Sequence, residues 1–194
     1  MKTFALLHRC PYPKLLLDLP PPIAWGRQNE VVACNKYREL MVKSGHTGLT
    51  TYPCGFIIHP TKGWLGASPD AKVFDASCSC CNGIAEFKCP YTKRDKSPQE
   101  ACNDPSFFFE LVNGHFHLKR NHQYYHQVQL QLYVSSDMFS WCDFCVYTPV
   151  DVATERIYPC KEWQSTYIPE LEDYYDRYML PEIVNPLFKP SYFL

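Results

Sequence analysis

The sequence has no long hydrophobic run, no internal repeat and almost no net charge. No apolar segment approaches the roughly 20 residues that cross a bilayer, so we expect no membrane partner. The N-terminus is short, is interrupted by proline and charge, and does not resemble a secretory signal. The formal net charge of −1 at pH 7 argues against a protein that coats nucleic acid by bulk positive charge. We therefore expect an intracellular protein in which local clusters of charge determine the partners.

The length, 194 residues, is that of one domain with a sizeable core, and 46% of the residues are hydrophobic. The 11 cysteines are an odd number without a secretory signal, which favours free thiols in a reducing compartment. The cysteine cluster at 78–81 has no suitable second pair for zinc, because Cys142 and Cys145 lie in a pattern typical of a buried strand. We do not expect a structural zinc site.

Hydrophobic periodicity predicts an α/β fold. Helical spacing occurs over about 28–43 and 123–135 and again after 160, and strand patterns occur over 55–59, 64–74, 84–89, 141–148 and 154–158. This order predicts a three-layer sandwich with a mixed central β-sheet. Residues 1–24 are predicted to be an irregular arm, 25–185 the domain and 186–194 a tail. The last helix carries a stripe that we expect to pack in the core: Trp163, Tyr167, Leu171, Tyr174 and Tyr178.

Two short segments carry the candidate chemistry. The segment 66–70 ends a predicted strand in Asp70, and 16 residues later the next strand begins the triplet Glu-Phe-Lys. Alternate residues of a strand share a face, so Glu86 and Lys88 point the same way. Two carboxylates can hold Mg²⁺, the metal lowers the pKa of a bound water, and a lysine can orient or deprotonate that water. The spacing therefore indicates a metal-dependent nuclease, although Asp70 alone could end a turn and Lys88 could form a weak ion pair.

Four motifs in order resemble a known family. They are Trp25-Gly26-x-x-x-Glu30, Ser68-Pro69-Asp70, Glu86-Phe87-Lys88 and Gln127-Val128-Gln129. From about residue 25 to 181 the chain resembles the YqaJ-type viral recombinase domain, in the lambda-exonuclease-like branch of the PD-(D/E)XK nucleases. The resemblance implies a restriction-endonuclease-like core and a deoxyribonuclease that uses one or two Mg²⁺ or Mn²⁺ ions. The implied substrate is DNA, as duplex ends or single strands, in recombination or repair.

The resemblance also assigns roles to individual residues of the implied metal centre. Asp70, Glu86 and the main-chain carbonyl of Phe87 would bind the metal, and Lys88 would act on the attacking water. Glu30 would be metal-associated and would lie on the inward face of its helix; the alternative is a glutamate favoured by the helix dipole.

A glutamine in the first half of the second predicted helix completes the implied active site. Gln127 is favoured over Gln129, which satisfies the Gln-x-x-x-Tyr spacing of the superfamily but projects from another side of the helix.

Further residues are implied to contact DNA. Ser68 would hold a 5′-phosphate, with an ordinary strand-end serine as the alternative. The remaining candidates are Trp25, Tyr91, Lys93, Arg94, Lys119 and Arg120.

The chain departs from the family pattern in two places. Ala71 stands where the family usually has glycine, and nothing before Trp25 matches the segment that grips the 5′ end, for which Arg9 and Lys14 are candidate substitutes. The alternative function is therefore a domesticated, catalytically weak or inactive DNA-binding or scaffold domain of the same fold. A cysteine-based zinc module is a third hypothesis. The family includes a toroidal homotrimer, and the resemblance is closest to versions from animal genomes, which are compatible with a nuclear location.

Overall fold

The structure is a computed structural model, and it describes residues 19–77 and 79–186. The helices are α1 (Pro21–Lys43), α2 (Pro98–Ala101), α3 (Gln123–Val134), α4 (Lys161–Tyr174) and α5 (Leu180–Val184). The strands are β1 (Leu49–Pro53), β2 (Ile57–Ile58), β3 (Gly66–Ala67), β4 (Ala71–Asp75), β5 (Asn82–Lys88), β6 (Phe109–Val112), β7 (His115–Leu118), β8 (Cys142–Tyr147) and β9 (Val152–Ile157). A 3₁₀ turn covers Tyr91–Lys93, and a π-helical turn covers Tyr175–Met179. None of the helices in these ranges is both long and apolar enough to cross a membrane.

Five strands form the central sheet in the order β1-β4-β5-β8-β9. The pair β5–β8 is parallel and the other neighbours are antiparallel, so the sheet is mixed. The strands β2–β3 and β6–β7 form two small antiparallel hairpins outside it. The central strands β5 and β8 are buried on both faces, as expected for strands covered by helices above and below.

Helices cover both faces of the sheet and make three layers. On one face, α1 packs Ala33, Tyr37 and Met41 against residues such as Val73 and Phe87. On the other face, α3 and α4 close the larger core, whose members include Ile84, Val128, Leu132, Phe144, Val146, Trp163 and Ile168. The predicted α/β sandwich with a mixed sheet is confirmed.

The structure differs from the predicted elements at α1 and in the early strands. Helix α1 begins at Pro21, not near 28, because proline fits the first helical turn, where its missing N–H has no partner to lose. Residues 21–24, the last four of the predicted irregular arm, are thus helical. Residues 1–18 of that arm lie outside the described ranges. The predicted strand 64–74 is two strands, since the chain leaves the ladder around Pro69.

The predicted C-terminal stripe is only half correct. Trp163 is buried, but Tyr174 and Tyr178 are 55% and 63% exposed and contact each other with tilted rings. Tyr175 faces inward instead and stacks on Trp64 with ring centroids 4.7 Å apart. Tyr178 lies in the π-helical turn, whose residue period differs from that of an α-helix, so the stripe does not stay on one face there; Tyr174 precedes the turn and is exposed at the end of α4.

Two buried carboxylates lie on the face of the sheet that α1 covers: Asp75 ends β4, and Asp143 lies in β8 beside Ala85. Asp143 accepts hydrogen bonds from the Tyr37 hydroxyl at 2.5 Å and from two nitrogens of Arg156 at 2.8 and 2.9 Å. Asp75 accepts from the main-chain N–H of Ser77 and contacts His46 Nδ1 at 2.6 Å. Burial opposes ionisation of Asp75, but these partners together hold its pKa below the usual value. The network therefore links α1 to β4, β8 and β9 on the face of the sheet opposite to the side chain of Glu86, which faces α3.

Gly83 is required by close packing at the start of β5. A Cβ built on this residue would lie 2.3 Å from the ring of Trp141, which is fully buried. The arginine–carboxylate network continues onto the same indole, because the guanidinium of Arg156 lies 3.6 Å from its ring centroid.

Candidate active site

The β4–β5 hairpin brings the two acidic motifs together. Ala71 pairs with Ala85 across the hairpin, so Asp70 lies at the position next to Glu86. The main-chain N–H of Asp70 donates to the Ala85 carbonyl at 3.1 Å, and its Oδ2 accepts from the Phe87 N–H at 2.8 Å. The 16-residue spacing is therefore the length of one hairpin that returns the chain to the same end of the sheet.

Glu86 is the centre of a buried polar cluster. Its side chain has no exposed surface. Oε1 accepts hydrogen bonds from Lys88 Nζ at 2.5 Å and from Gln127 Nε2 at 2.7 Å, and Oε2 accepts from Gln131 Nε2 at 2.8 Å. A buried carboxylate is costly unless its lone pairs are satisfied, and here three donors from β5 and α3 surround it.

Lys88 is held between the sheet and α3. Its side chain is 11% exposed, and besides Glu86 its Nζ donates to Gln127 Oε1 at 3.2 Å. The same ammonium lies 4.4 Å from the ring centroid of Tyr124, in a cation–π contact. Gln127 thus uses its amide nitrogen on Glu86 and its oxygen on Lys88, while Gln129 bonds main-chain atoms of Tyr158 and Cys160 outside the site.

Gln131 belongs to the cluster but was not assigned a role from the sequence. It lies one helical turn after Gln127 on the same face of α3, and this i, i+4 relation was the available signal. Its Oε1 is buried and has no hydrogen-bond partner among the residues that the structure describes. An unsatisfied buried acceptor costs about 1–3 kcal/mol, so a donor is expected there when the site is in use.

Glu30 shares the face of α1 that carries the buried residues Ala33 and Tyr37, as predicted, but it lies outside the buried part of that face. Its side chain is exposed, because that face is covered by the sheet only from about Ala33 onward. Glu30 still lies near the end of β5: burial, followed by the charges of Glu30 and Asp70, raises the pKa of the Cys89 thiol to about 12. The structure thus places Glu30 at the rim of the site.

The donors that could hold a metal ion are oxygens. Within residues 19–77 and 79–186, no group of three or more His, Cys, Asp or Glu side chains could hold a metal. The candidate ligands are the carboxylates of Asp70 and Glu86 and the main-chain carbonyl of Phe87. The unpartnered oxygen of Gln131 adds a neutral acceptor to this set. An all-oxygen set fits Mg²⁺ or Mn²⁺ better than zinc, which prefers nitrogen and sulfur.

Three of the predicted DNA-contacting residues lie together beyond the end of β5. The rings of Trp25 and Tyr91 meet edge to face with centroids 6.1 Å apart. The guanidinium of Arg94 lies 4.4 Å from the centroid of Tyr91, and its Nη1 donates to the carbonyl of the same tyrosine at 2.9 Å. Ser68 is exposed two residues before Asp70.

The other predicted cations already have partners. Lys93 forms an ion pair with Asp104. Arg120 Nη2 lies 2.7 Å from a carboxylate oxygen of Glu155, which is mostly buried. Lys119 Nζ donates to the main-chain carbonyl of Pro105 at 2.6 Å.

Comparison with known proteins places these features in context. A family model described as the YqaJ-like viral recombinase domain matches residues 14–138, which begins earlier and ends earlier than the predicted 25–181. The crystal structure of an alkaline exonuclease (LHK-Exo) from Laribacter hongkongensis is similar, with 22% identity over 86% of this chain and 76% of that chain and a TM-score of 0.52. Its complex with dAMP gives 22% identity, 88% and 77% coverage and a TM-score of 0.54. No curated protein sequence matches this chain.

Proposed function

Because the chain belongs to the family of YqaJ-like viral recombinase domains, we propose that it is a metal-dependent deoxyribonuclease that acts on duplex ends. The observation that carries the proposal is the convergence of Asp70, Glu86, Lys88 and Gln127 at one end of the sheet. None of these groups is needed there to complete the hydrophobic core, and a buried charge cluster is costly to maintain. Such clusters are more typical of chemistry than of stability.

The charge and the donor atoms of the cluster support binding of Mg²⁺ or Mn²⁺, as one or two ions. Asp70 and Glu86 carry two negative charges when ionised, and Lys88 neutralises only one of them. The remaining charge and the oxygen ligands suit a hard divalent cation. When bound, such a cation lowers the pKa of a water molecule and offsets the charge that develops on the phosphate.

The side chains of the protein would position the reacting groups. Lys88 is restrained by Glu86, Gln127 and the ring of Tyr124, so its ammonium can be presented to a water or to a phosphate oxygen in one orientation. Gln127 contacts both Glu86 and Lys88 and would hold their side chains in a fixed relative position.

The surface beyond β5 supports an approach path for DNA. Trp25, Tyr91 and Arg94 combine an aromatic surface with a positive charge at the same end of the sheet. Phosphate contacts of this kind set the position of a duplex without reading its sequence. Ser68, exposed beside Asp70, is the candidate contact for a terminal 5′-phosphate.

The test is release of nucleotides from 5′-phosphorylated linear duplex DNA in Mg²⁺ or Mn²⁺. We expect digestion by the wild type, loss of digestion with a chelator, and loss in Lys88→Ala. The matched control is Lys36→Ala, which removes an exposed lysine paired with Glu39 on the outer side of α1 and should digest DNA normally.

A covalently closed circle of the same sequence separates the two modes of cutting. Resistance of the circle supports action at ends, and its cleavage would replace the end-dependent part of the proposal by internal cutting. A folded wild type that binds the linear duplex but releases nothing in either metal would support the inactive DNA-binding or scaffold domain instead.

A further inference from the structure

We propose that Gln131 is a positioning residue of the metal centre: it holds Oε2 of Glu86 through its amide nitrogen and accepts, at Oε1, a hydrogen bond from a water molecule carried by the divalent cation. The inference rests on the proposed function and extends it to a residue with no assigned role. Its basis is one fixed amide that has a charged partner on one side and an unpartnered oxygen on the other.

The orientation of the amide follows from its neighbour. Gln131 Nε2 donates to Glu86 Oε2 at 2.8 Å. If the amide were flipped, its oxygen would face the carboxylate oxygen, and two acceptors would oppose each other. The carboxylate therefore dictates that Oε1 of Gln131 points away from it, so the open acceptor is a consequence of the contact with Glu86.

The neighbouring glutamines of α3 show that this open acceptor is specific to Gln131. Gln129 is also fully buried, but its nitrogen donates to the Tyr158 carbonyl at 2.9 Å and its oxygen accepts from the Cys160 N–H at 2.8 Å. Gln127 likewise uses both of its polar atoms. In the part of the chain that the structure describes, Gln131 Oε1 is the buried side-chain atom left without a partner.

The chemistry of the site restricts what can occupy this acceptor. The partner must donate a hydrogen bond, must be small enough to reach a buried atom, and must tolerate the carboxylate of Glu86 beside the same amide. A water molecule bound to a cation meets all three conditions, because the cation polarises its O–H groups and is itself attracted by the carboxylates. An anion would be repelled by the carboxylate of Glu86.

The experiment measures cation binding directly, without DNA and without turnover. Titration calorimetry with MnCl₂ and with MgCl₂ is done on the wild type, on Gln131→Met and on Gln129→Met. Methionine keeps the length of glutamine and removes both polar atoms. Removal of a residue that orients a metal ligand typically weakens metal affinity by about tenfold or more. We expect that loss in Gln131→Met, whereas Gln129→Met should reduce the melting temperature and leave the dissociation constant for the cation unchanged.

The outcomes distinguish failure of this inference from failure of the proposed function. A wild type that binds the cation and a Gln131→Met variant with the same dissociation constant would overturn the role of Gln131 but not the proposed function. A wild type that binds neither cation would overturn both. If Gln131→Met does not fold, Gln131→Glu takes its place: an acidic side chain there should lower the melting temperature of the cation-free protein and increase the rise that the cation produces. If the cation raises the melting temperature of Gln131→Glu no more than that of the wild type, the role assigned to Gln131 is refuted.

Discussion

Replacing both charges of the buried Glu86–Lys88 pair should destabilise the protein less than replacing either one. Glu86 has no exposed surface, Lys88 is 11% exposed, and their charged atoms are 2.5 Å apart. Removing one member of such a pair leaves an uncompensated charge and costs about 3–5 kcal/mol, whereas replacing both by groups of similar volume is often neutral. We therefore expect Glu86→Gln and Lys88→Met each to lower the free energy of unfolding by about 3 kcal/mol.

The double variant should recover most of that loss. In Glu86→Gln/Lys88→Met both members of the charge pair are neutral, and the net charge of the cluster is unchanged because Asp70 keeps its own. The new amide can still accept from Gln127 and can pair with Gln131 after the Gln131 amide rotates. We expect stability within about 1 kcal/mol of the wild type, against a sum of about 6 kcal/mol for the two single losses, that is, a coupling energy of about 5 kcal/mol. Urea unfolding of all four proteins, followed by tryptophan fluorescence and circular dichroism, measures the cycle.

Additivity would refute the reasoning. If the double variant loses the sum of the two single losses, the two groups stabilise the fold independently and the cluster is not a charge pair held for chemistry. The nuclease assay adds a second readout, because a recovered fold should not recover activity. A stable double variant that digests DNA as well as the wild type would exclude Glu86 and Lys88 from the reaction.

Three further predictions concern packing, pH and DNA. Gly83→Ala should lower the free energy of unfolding, measured in urea, by more than about 2 kcal/mol because its Cβ overlaps a buried indole. Gly26→Ala should raise it by about 0.5–1 kcal/mol, because Gly26 lies in helix α1 and a Cβ there meets no other atom within 4 Å. The lowered pKa of Asp75 stabilises the fold above about pH 4, and this stabilisation is lost as pH falls through the folded-state pKa. Asp75→Asn should therefore have a lower melting temperature than the wild type at pH 7, and its melting temperature should fall less steeply in acid. Arg94→Ala should weaken duplex binding in a polarisation assay and reduce the slope of log affinity against log salt by about one. The control Arg177→Ala, which removes an exposed arginine from the π-helical turn, should change neither quantity.

The sequence was sufficient for the parts of the fold that depend on local periodicity. Helix α3 and strands β8 and β9 lie within about two residues of their predicted limits, because their buried positions repeat at the helical and strand periods. The predicted limits of the elements were wrong where long-range pairing or proline at a helix start determines the structure. Strand β1 was not predicted, because it is an edge strand whose burial comes from a long-range ladder with β4. The start of α1 was missed because consecutive prolines normally signal a break.

The candidate site was predictable to the extent that its residues share short spacings. Glu86 and Lys88 share a face by strand period, and Asp70 comes next to them by one hairpin. The contact of Gln127 with Glu86 joins elements 41 residues apart and was expected only through the resemblance. Gln131 shows what local pattern leaves undetermined: its face was known, but its partner depends on how α3 crosses the sheet.

The near-neutral charge of the chain also has a structural interpretation. Lys93 is paired with Asp104 and Arg120 with Glu155, so a phosphate that approached either cation would first have to displace a carboxylate. Arg94 is different, since its carboxylate neighbour within the described part of the chain is Asp95, which lies 3.7 Å away and is 85% exposed, where water and salt screen it. Its guanidinium is already ordered on an aromatic ring, so a phosphate contact would cost little additional side-chain entropy. Among the cations predicted to contact DNA beyond β5, Arg94 should therefore contribute more to affinity than its charged neighbours, although the total charge of the chain gives no sign of it.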